Sequence, residues 1–151
     1  MPSSPIIVLD TNVWISGIFF WRGIAAHVLR AWRDGRFDVL FTPQTLDEVY
    51  RLLRRKTLQF GAAPTLAEEW IAYINVFAHI VQATGAAQGV CRDPDDDKLL
   101  DAAVSGGATI LVSSDHDLLS LGEYAGVAIL PPAEFAKRLG ITLPPLLLDK
   151  A

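Results

Sequence analysis

The chain has 151 residues, 51% of them hydrophobic and 20% charged, with a net charge of −4. That composition excludes a disordered chain, and the length suits one domain, 1–151, with a core of its own. No apolar run approaches the roughly 18 residues of a membrane helix, and "MPSSPIIVLD" lacks the basic segment and cleavage site of a signal peptide. Cys91 is the single cysteine, so no intramolecular disulfide can form and a reducing cytoplasm is the expected compartment.

The elements alternate in type along the chain. "IIVL" (6–9) is a β-branched apolar run of the kind buried on both faces of a sheet. The stretch "WISGIFFWRG" (14–23) reads as an aromatic-rich loop that either packs inside or forms an interface with a second copy or a partner. "GIAAHVLRAWRDG" (23–35) predicts a helix, with Ile24, Val28, Leu29 and Trp32 at helical spacing and Gly35 as a stop. "DVLF" (38–41) predicts a second strand. The helix predicted over 42–56 has Thr42 as N-cap, Pro43 at its first position and a stripe of Leu46, Val49, Tyr50 and Leu53.

A further helix is predicted over 65–80, and a short one over 93–107, framed by Asp-Pro and Gly-Gly. "ATILVSS" (108–114) and "VAIL" (127–130) predict two more strands, and Pro131 introduces a helix at 132–139. The tail "ITLPPLLLDKA" is apolar and Pro-rich, suited to packing on the body or on a partner. Strands alternating with helices imply βαβ units, hence a mostly parallel sheet with helices on both faces.

In such sheets ligands bind beyond the carboxyl ends of the strands. Asp10 follows strand 6–9, and Asp115 and Asp117 follow the strand at 108–113. Glu48 lies about a turn and a half into the helix that starts at the same edge. Asp97 sits near the start of helix 93–107, and its approach to that edge is left open by the spacing alone. Two carboxylates about 4 Å apart repel by roughly 4 kcal/mol at an effective dielectric near 20. A group of them therefore takes up protons or needs a cation, and an all-oxygen set selects Mg²⁺, Mn²⁺ or Ca²⁺. Each residue also has a structural role open to it. Asp10 can form an Asx turn, Asp93 and Asp95 can serve a helix N-terminus, and Glu48 can be a solvated helix face.

Other chemistries fit less well. His27, His79 and His116 have no zinc-ligand spacing. "DPDDDKLLDAAV" places Lys98 and Val104 where a calcium-binding EF-hand loop requires Gly and Glu. No phosphate-binding glycine loop or GxSxG elbow is present, and Cys91 has no evident His partner. A Mg²⁺-dependent phosphatase of the strand-terminal Asp-x-Asp type would lack its general acid, because Asn12 stands there.

Three stretches, "VLDTNVWISG" (8–17), "FTPQTLDEVYRLLRR" (41–55) and "RDPDDDKLLDAAVSGGATILVSSDHDLL" (92–119), resemble the PIN-domain ribonucleases. Within that family they are similar to the toxin components of prokaryotic toxin–antitoxin pairs. The resemblance implies a three-layer α/β domain with four to five strands, cutting RNA with Mg²⁺ or Mn²⁺ held by Asp10, Glu48, Asp97 and Asp115. It implies Asp117 as an accessory ligand and Asn12 and Ser113 as hydrogen-bonding supports. It also brings Asp97 into the cleft, with Asp101, one turn later, a competing candidate. Ser113–Ser114 departs from the family's frequent Thr-Gly but keeps the hydroxyl. Implied partners are an RNA substrate, an antitoxin protein and a second copy of the chain, with no membrane. A degenerate module that binds RNA or protein without cutting is the other reading.

Setting those five carboxylates aside leaves thirteen cations against twelve acids, a net of +1, so the overall charge does not exclude RNA. Arg51, Arg54, Arg55 and Lys56 form a candidate RNA-binding cluster, or simply complement a helix C-terminus.

Overall fold

The computed structural model describes residues 4–141; the tail from 142 onward lies outside the described residues. Six strands form one sheet in the order β3-β2-β1-β4-β6-β5. They are β1 (Ile6–Leu9), β2 (Asp38–Phe41), β3 (His79–Ile80), β4 (Ile110–Val112), β5 (Glu123–Tyr124) and β6 (Val127–Leu130). All neighbouring pairs are parallel except β5 with β6. The two-residue strands β3 and β5 lie at the edges and were absent from the predicted elements.

Among the described residues seven helices cover the two faces: α1 (Thr11–Phe19), α2 (Ile24–Arg33), α3 (Pro43–Phe60), α4 (Pro64–Phe77), α5 (Pro94–Ser105), α6 (His116–Leu121) and α7 (Pro132–Arg138). Four of them start at a proline, whose fixed φ and missing N–H suit a first helical position. Thr42 caps α3 and exchanges hydrogen bonds with Thr45. The α3 helix runs to Phe60, four residues beyond its expected end, and stops at Gly61 in the left-handed conformation, φ 63°.

The strand pleat builds two cores. Ile7, Leu9, Val39, Phe41 and Val112 point to one face and pack with α1, α2, α3 and α4. The intervening Val8, Leu40 and Leu111 point to the other and pack with Leu99, Leu100, Ala102 and Ala103 of α5 and Leu118 of α6. This is the three-layer arrangement expected.

The aromatic segment 14–23 resolves differently from the loop expected there. Its first part is α1, and Trp14 is fully buried, edge-on to Trp32 and stacked on Phe41. Phe20 and Trp21, beyond the end of α1, are 55% and 64% exposed. Gly17 permits the close contact of α1 with α2: a Cβ there would lie 2.5 Å from a Leu29 methyl carbon.

Candidate functional site: a carboxylate cleft

Strand order reverses direction between β1 and β4, with β2 and β3 to one side and β6 and β5 to the other. The crevice of an open α/β sheet lies at this point, outside the carboxyl ends of the strands. Asp10 follows β1 there and Asp115 follows β4.

Asp10 is 6% exposed. Its backbone N–H donates to the Val112 carbonyl at 2.9 Å, which extends the sheet by one residue and fixes the side chain's origin. The hydroxyl of Ser113, itself fully buried, donates to an Asp10 carboxylate oxygen at 2.6 Å. The same hydroxyl accepts the Asp115 N–H at 3.0 Å, so Ser113 ties together the ends of both strands. Burial pushes the Asp10 carboxyl above its ordinary value, and the Ser113 hydrogen bond and the Asn12 N–H pull against that shift. Asp115 caps α6 by accepting the Leu118 N–H at 3.1 Å.

A cavity of about 180 Å³ opens between these residues. Asp10, Thr11 and Asn12 form one wall, Glu48 and Leu52 of α3 a second, Asp93, Asp95, Asp96 and Leu99 a third, and Asp115 closes it. Glu48 is half-buried, and burial and then Asp95 raise its carboxyl. Asp96 is pushed up to about 7, first by burial, then by the charges of Asp115, Asp93 and Asp10 and by a hydrogen bond with Asp115. Burial and neighbouring carboxylates act in the same direction here, both disfavouring the charged form.

The expected residues Asp10, Asn12, Glu48 and Asp115 all face this cleft. Asp97 does not; the α5 carboxylates that line the cleft are its neighbours Asp95 and Asp96. Asp97 instead faces the preceding loop, where its two oxygens accept the N–H groups of Gly89 at 2.9 Å, Val90 at 3.2 Å and Cys91 at 2.7 Å. Partial burial raises its carboxyl, but those donors outweigh it and hold the group below its ordinary value. Asp101, one turn on, accepts the N–H groups of Gly85 and Ala86 and the Ser105 hydroxyl. Asp97 and Asp101 thus fasten loop 85–91 along α5. Asp117 is exposed in the first turn of α6 and does not line the cleft. Asp93 caps α5 by accepting the Asp95 N–H at 2.9 Å, as expected of it, and also lines the cleft. The Cys91 thiol is pushed up to about 12 by burial and by Asp97, which makes it a poor nucleophile.

The donor set fits a hard divalent cation: every polar side chain in the cleft offers oxygen, and the like charges are crowded enough to raise Asp96. Among the described residues no three acidic, histidine or cysteine side chains already converge tightly enough to hold one ion. The carboxylates face a common space without being drawn onto one centre.

A doubly wound parallel sheet with an acidic cleft at its switch point defines the class. The chain belongs to the PIN-domain family, whose profile, described as "PIN domain", matches residues 6–117. An uncharacterized protein of Methanocaldococcus jannaschii is 30% identical over 117 residues, covering 76% of this chain and 74% of that protein. Among solved structures the fold is similar to VapBC2 of Rickettsia felis, solved bound to a DNA fragment from its promoter, with TM-score 0.56, 11% identity and coverage of 82% and 96%. It is also similar to VapC20 of Mycobacterium tuberculosis, described as a Sarcin-Ricin loop cleaving toxin, with TM-score 0.53, 16% identity and coverage of 81% and 98%. No helix among the described residues is long and apolar enough to cross a membrane.

Proposed function

We propose that this protein is a metal-dependent ribonuclease, the toxin of a toxin–antitoxin pair, in which Asp10, Glu48, Asp96 and Asp115 hold Mg²⁺ or Mn²⁺. The observation that carries this reading is the meeting of carboxylates from β1, α3, α5 and the end of β4 at the switch point of the sheet. Membership of the PIN-domain family supports it. The toxin role rests on the fold likeness to VapBC2 and VapC20.

A divalent ion held by Asp10, Glu48, Asp96 and Asp115 would lower the pKa of water and offset charge on the phosphoryl oxygens. The residues do the positioning. β1 and the Ser113 hydroxyl hold Asp10 in one orientation, and Ser113 fixes the backbone from which Asp115 projects. Asn12 lies exposed at the mouth, where its amide can meet a phosphate or ribose. Leu52 and Leu99 give the cleft apolar walls that limit the water reaching it. No side-chain nucleophile takes part, consistent with the raised Cys91 thiol.

The deciding experiment is a cleavage assay on single-stranded RNA with the purified protein. Cleavage in Mg²⁺ or Mn²⁺ that stops with EDTA and is lost in Asp96→Asn supports the proposal. Cleavage unchanged in that variant, with contaminating nuclease excluded, defeats it. An antitoxin partner is tested by the neighbouring reading frame, whose product should form a stable complex with this chain and relieve its growth arrest.

We further propose a homodimer. Trp14 is in the core and takes no part in it. The exposed Phe20, Trp21 and Phe60 are available, with Phe20 and Phe60 edge to face at 5.7 Å. A clean monomer mass by light scattering at tens of micromolar removes this proposal.

A further inference from the structure

A second cavity, of about 380 Å³, lies beside the carboxylate cleft and shares Glu48, Leu52 and Asp95 with it. It adds cations, which the cleft lacks. Gln44, Glu48, Arg51 and Arg55 stand at positions i, i+4, i+7 and i+11 of α3, one stripe of that helix, and Lys98 of α5 faces them. Three cations and one amide share this space with the two acids Glu48 and Asp95, a net of one positive charge beside a cleft whose charged residues are acids alone. From Glu48 to Arg55 the stripe runs about 10 Å along the helix axis.

The four cations Arg51, Arg54, Arg55 and Lys56 lie in the second half of α3, which runs on to Phe60 with no basic residue in its last turn, and they are sorted by this geometry. Arg54 points elsewhere and pairs with Glu68 at 3.1 Å. Lys56 bonds Gln59 at 2.9 Å and lies over the Phe60 ring. Arg51 pairs with Asp47 and Lys98 with Asp95, each at 3.0 Å. Both pairs are mostly exposed, and such pairs contribute about 0–1 kcal/mol, little enough for a phosphate to displace them. Arg55 makes no ion pair among the described residues.

We propose that the cavity between α3 and α5 holds the phosphodiester adjacent to the one held at the carboxylates, gripped by Arg51, Arg55 and Lys98. It rests on the ribonuclease reading above and narrows it: the ligand is a single strand with at least two phosphates, not a mononucleotide. A strand whose one phosphate sits among Asp10, Asp96 and Asp115 must carry its next charge out of the cleft. The opening past Glu48 and Leu52 is bordered by guanidinium and ammonium groups. Guanidinium forks match phosphate oxygens in a bidentate way, and two stand one turn apart.

The test is binding of a labelled 12-nucleotide single-stranded RNA, read by fluorescence anisotropy across a salt series. Ca²⁺ serves as the carboxylate counter-ion. Each phosphate contact on a single strand adds about 0.7 to the slope of log affinity against log salt. Arg55→Gln and Lys98→Gln should each weaken binding several-fold and flatten the slope by about that amount. Arg54→Gln should bind as wild type does. All three residues are exposed, and unchanged melting temperatures confirm folding. Wild-type affinity and slope in both Arg55→Gln and Lys98→Gln overturn the proposal, as does an equal loss in Arg54→Gln or no RNA binding by wild type. RNA bound through Arg55 and Lys98 but left uncut in Mg²⁺ and Mn²⁺ sinks the nuclease reading and keeps this cavity. RNA cut and bound undiminished by both variants does the reverse.

Discussion

Asp96 and Asp97 are neighbours in sequence and opposite in environment, so replacing each with asparagine separates the cleft from its support. Asp97→Asn keeps the shape but exchanges one acceptor oxygen for an NH₂ group. Its remaining oxygen can still serve Val90 and Cys91, while the new NH₂ meets the Gly89 N–H, donor against donor. Hydrogen bonds to charged groups contribute about 1.5–3 kcal/mol each when shielded. Here solvent reaches the site, and a total loss of about 1–2 kcal/mol is the expectation, or about 2–8 °C in melting temperature for a chain of this size.

Asp96→Asn acts with the opposite sign. The folded protein raises Asp96 from 3.8 to about 7, so its proton is held more tightly folded than unfolded. Without metal, that group favours folding below pH 4 and loses this contribution as pH rises toward 7. The shift corresponds to about 4 kcal/mol at full strength, which screening at a half-exposed carboxyl reduces to about 1–2 kcal/mol. Metal-free Asp96→Asn should therefore melt above wild type at pH 8 and match it at pH 4. In Mg²⁺ or Mn²⁺ it should lose at least about a hundredfold in RNA cleavage, whereas folded Asp97→Asn should retain most of it. The assays are melting curves in EDTA at the two pH values and a cleavage time course at a temperature where both variants are folded. The reasoning is refuted if Asp97→Asn melts as wild type and cannot cut, while Asp96→Asn cuts normally.

Three further outcomes follow from the same contacts. Ser113→Ala leaves the buried Asp10 oxygen without its hydroxyl donor; urea melts at pH 8 should show a loss of about 1–3 kcal/mol that shrinks in acid, where protonated Asp10 needs the donor less. Gly17→Ala drives a Cβ into Leu29 and should lower stability by about 1–3 kcal/mol less the helix-propensity gain of about 1, measured by denaturant midpoint. Added Mn²⁺ should raise the melting temperature of wild type at pH 8 in proportion to the logarithm of its concentration, and should do so more weakly in Asp96→Asn.

The parts of the fold that were legible in the sequence are those where burial imposes a pattern. The four interior strands announce themselves as apolar runs because each is covered on both faces. Helix α1 was hidden for a related reason: Val13, Trp14, Ile15, Gly17 and Ile18 are all buried, leaving Asn12 and Ser16 as a thin outer stripe. A helix apolar nearly all round lacks the polar face that signals its period. The strands β3 and β5 are two residues long at sheet edges and carry no pattern at all.

The position of Asp97 outside the cleft lining has a different origin, and a signal for it was present in the sequence. Successive helical residues differ by about 100° in direction, so in the run Asp93 to Asp97 proximity in sequence says nothing about which carboxylate faces the sheet. The buried residues of α5 decide it. Leu99 and Leu100 are in the core, and Asp96 precedes them by three and four positions, which puts it on their face one turn nearer the helix start. Asp97 precedes Asp101 by four, and the two share a polar face that receives five loop N–H groups. The helix meets the sheet through its leucine face, and its first turn ends beside Asp10 and Asp115. Asp96, which precedes both leucines at helical spacing, is thereby carried to the cleft with Asp95, while Asp97, in register with Asp101, holds the loop.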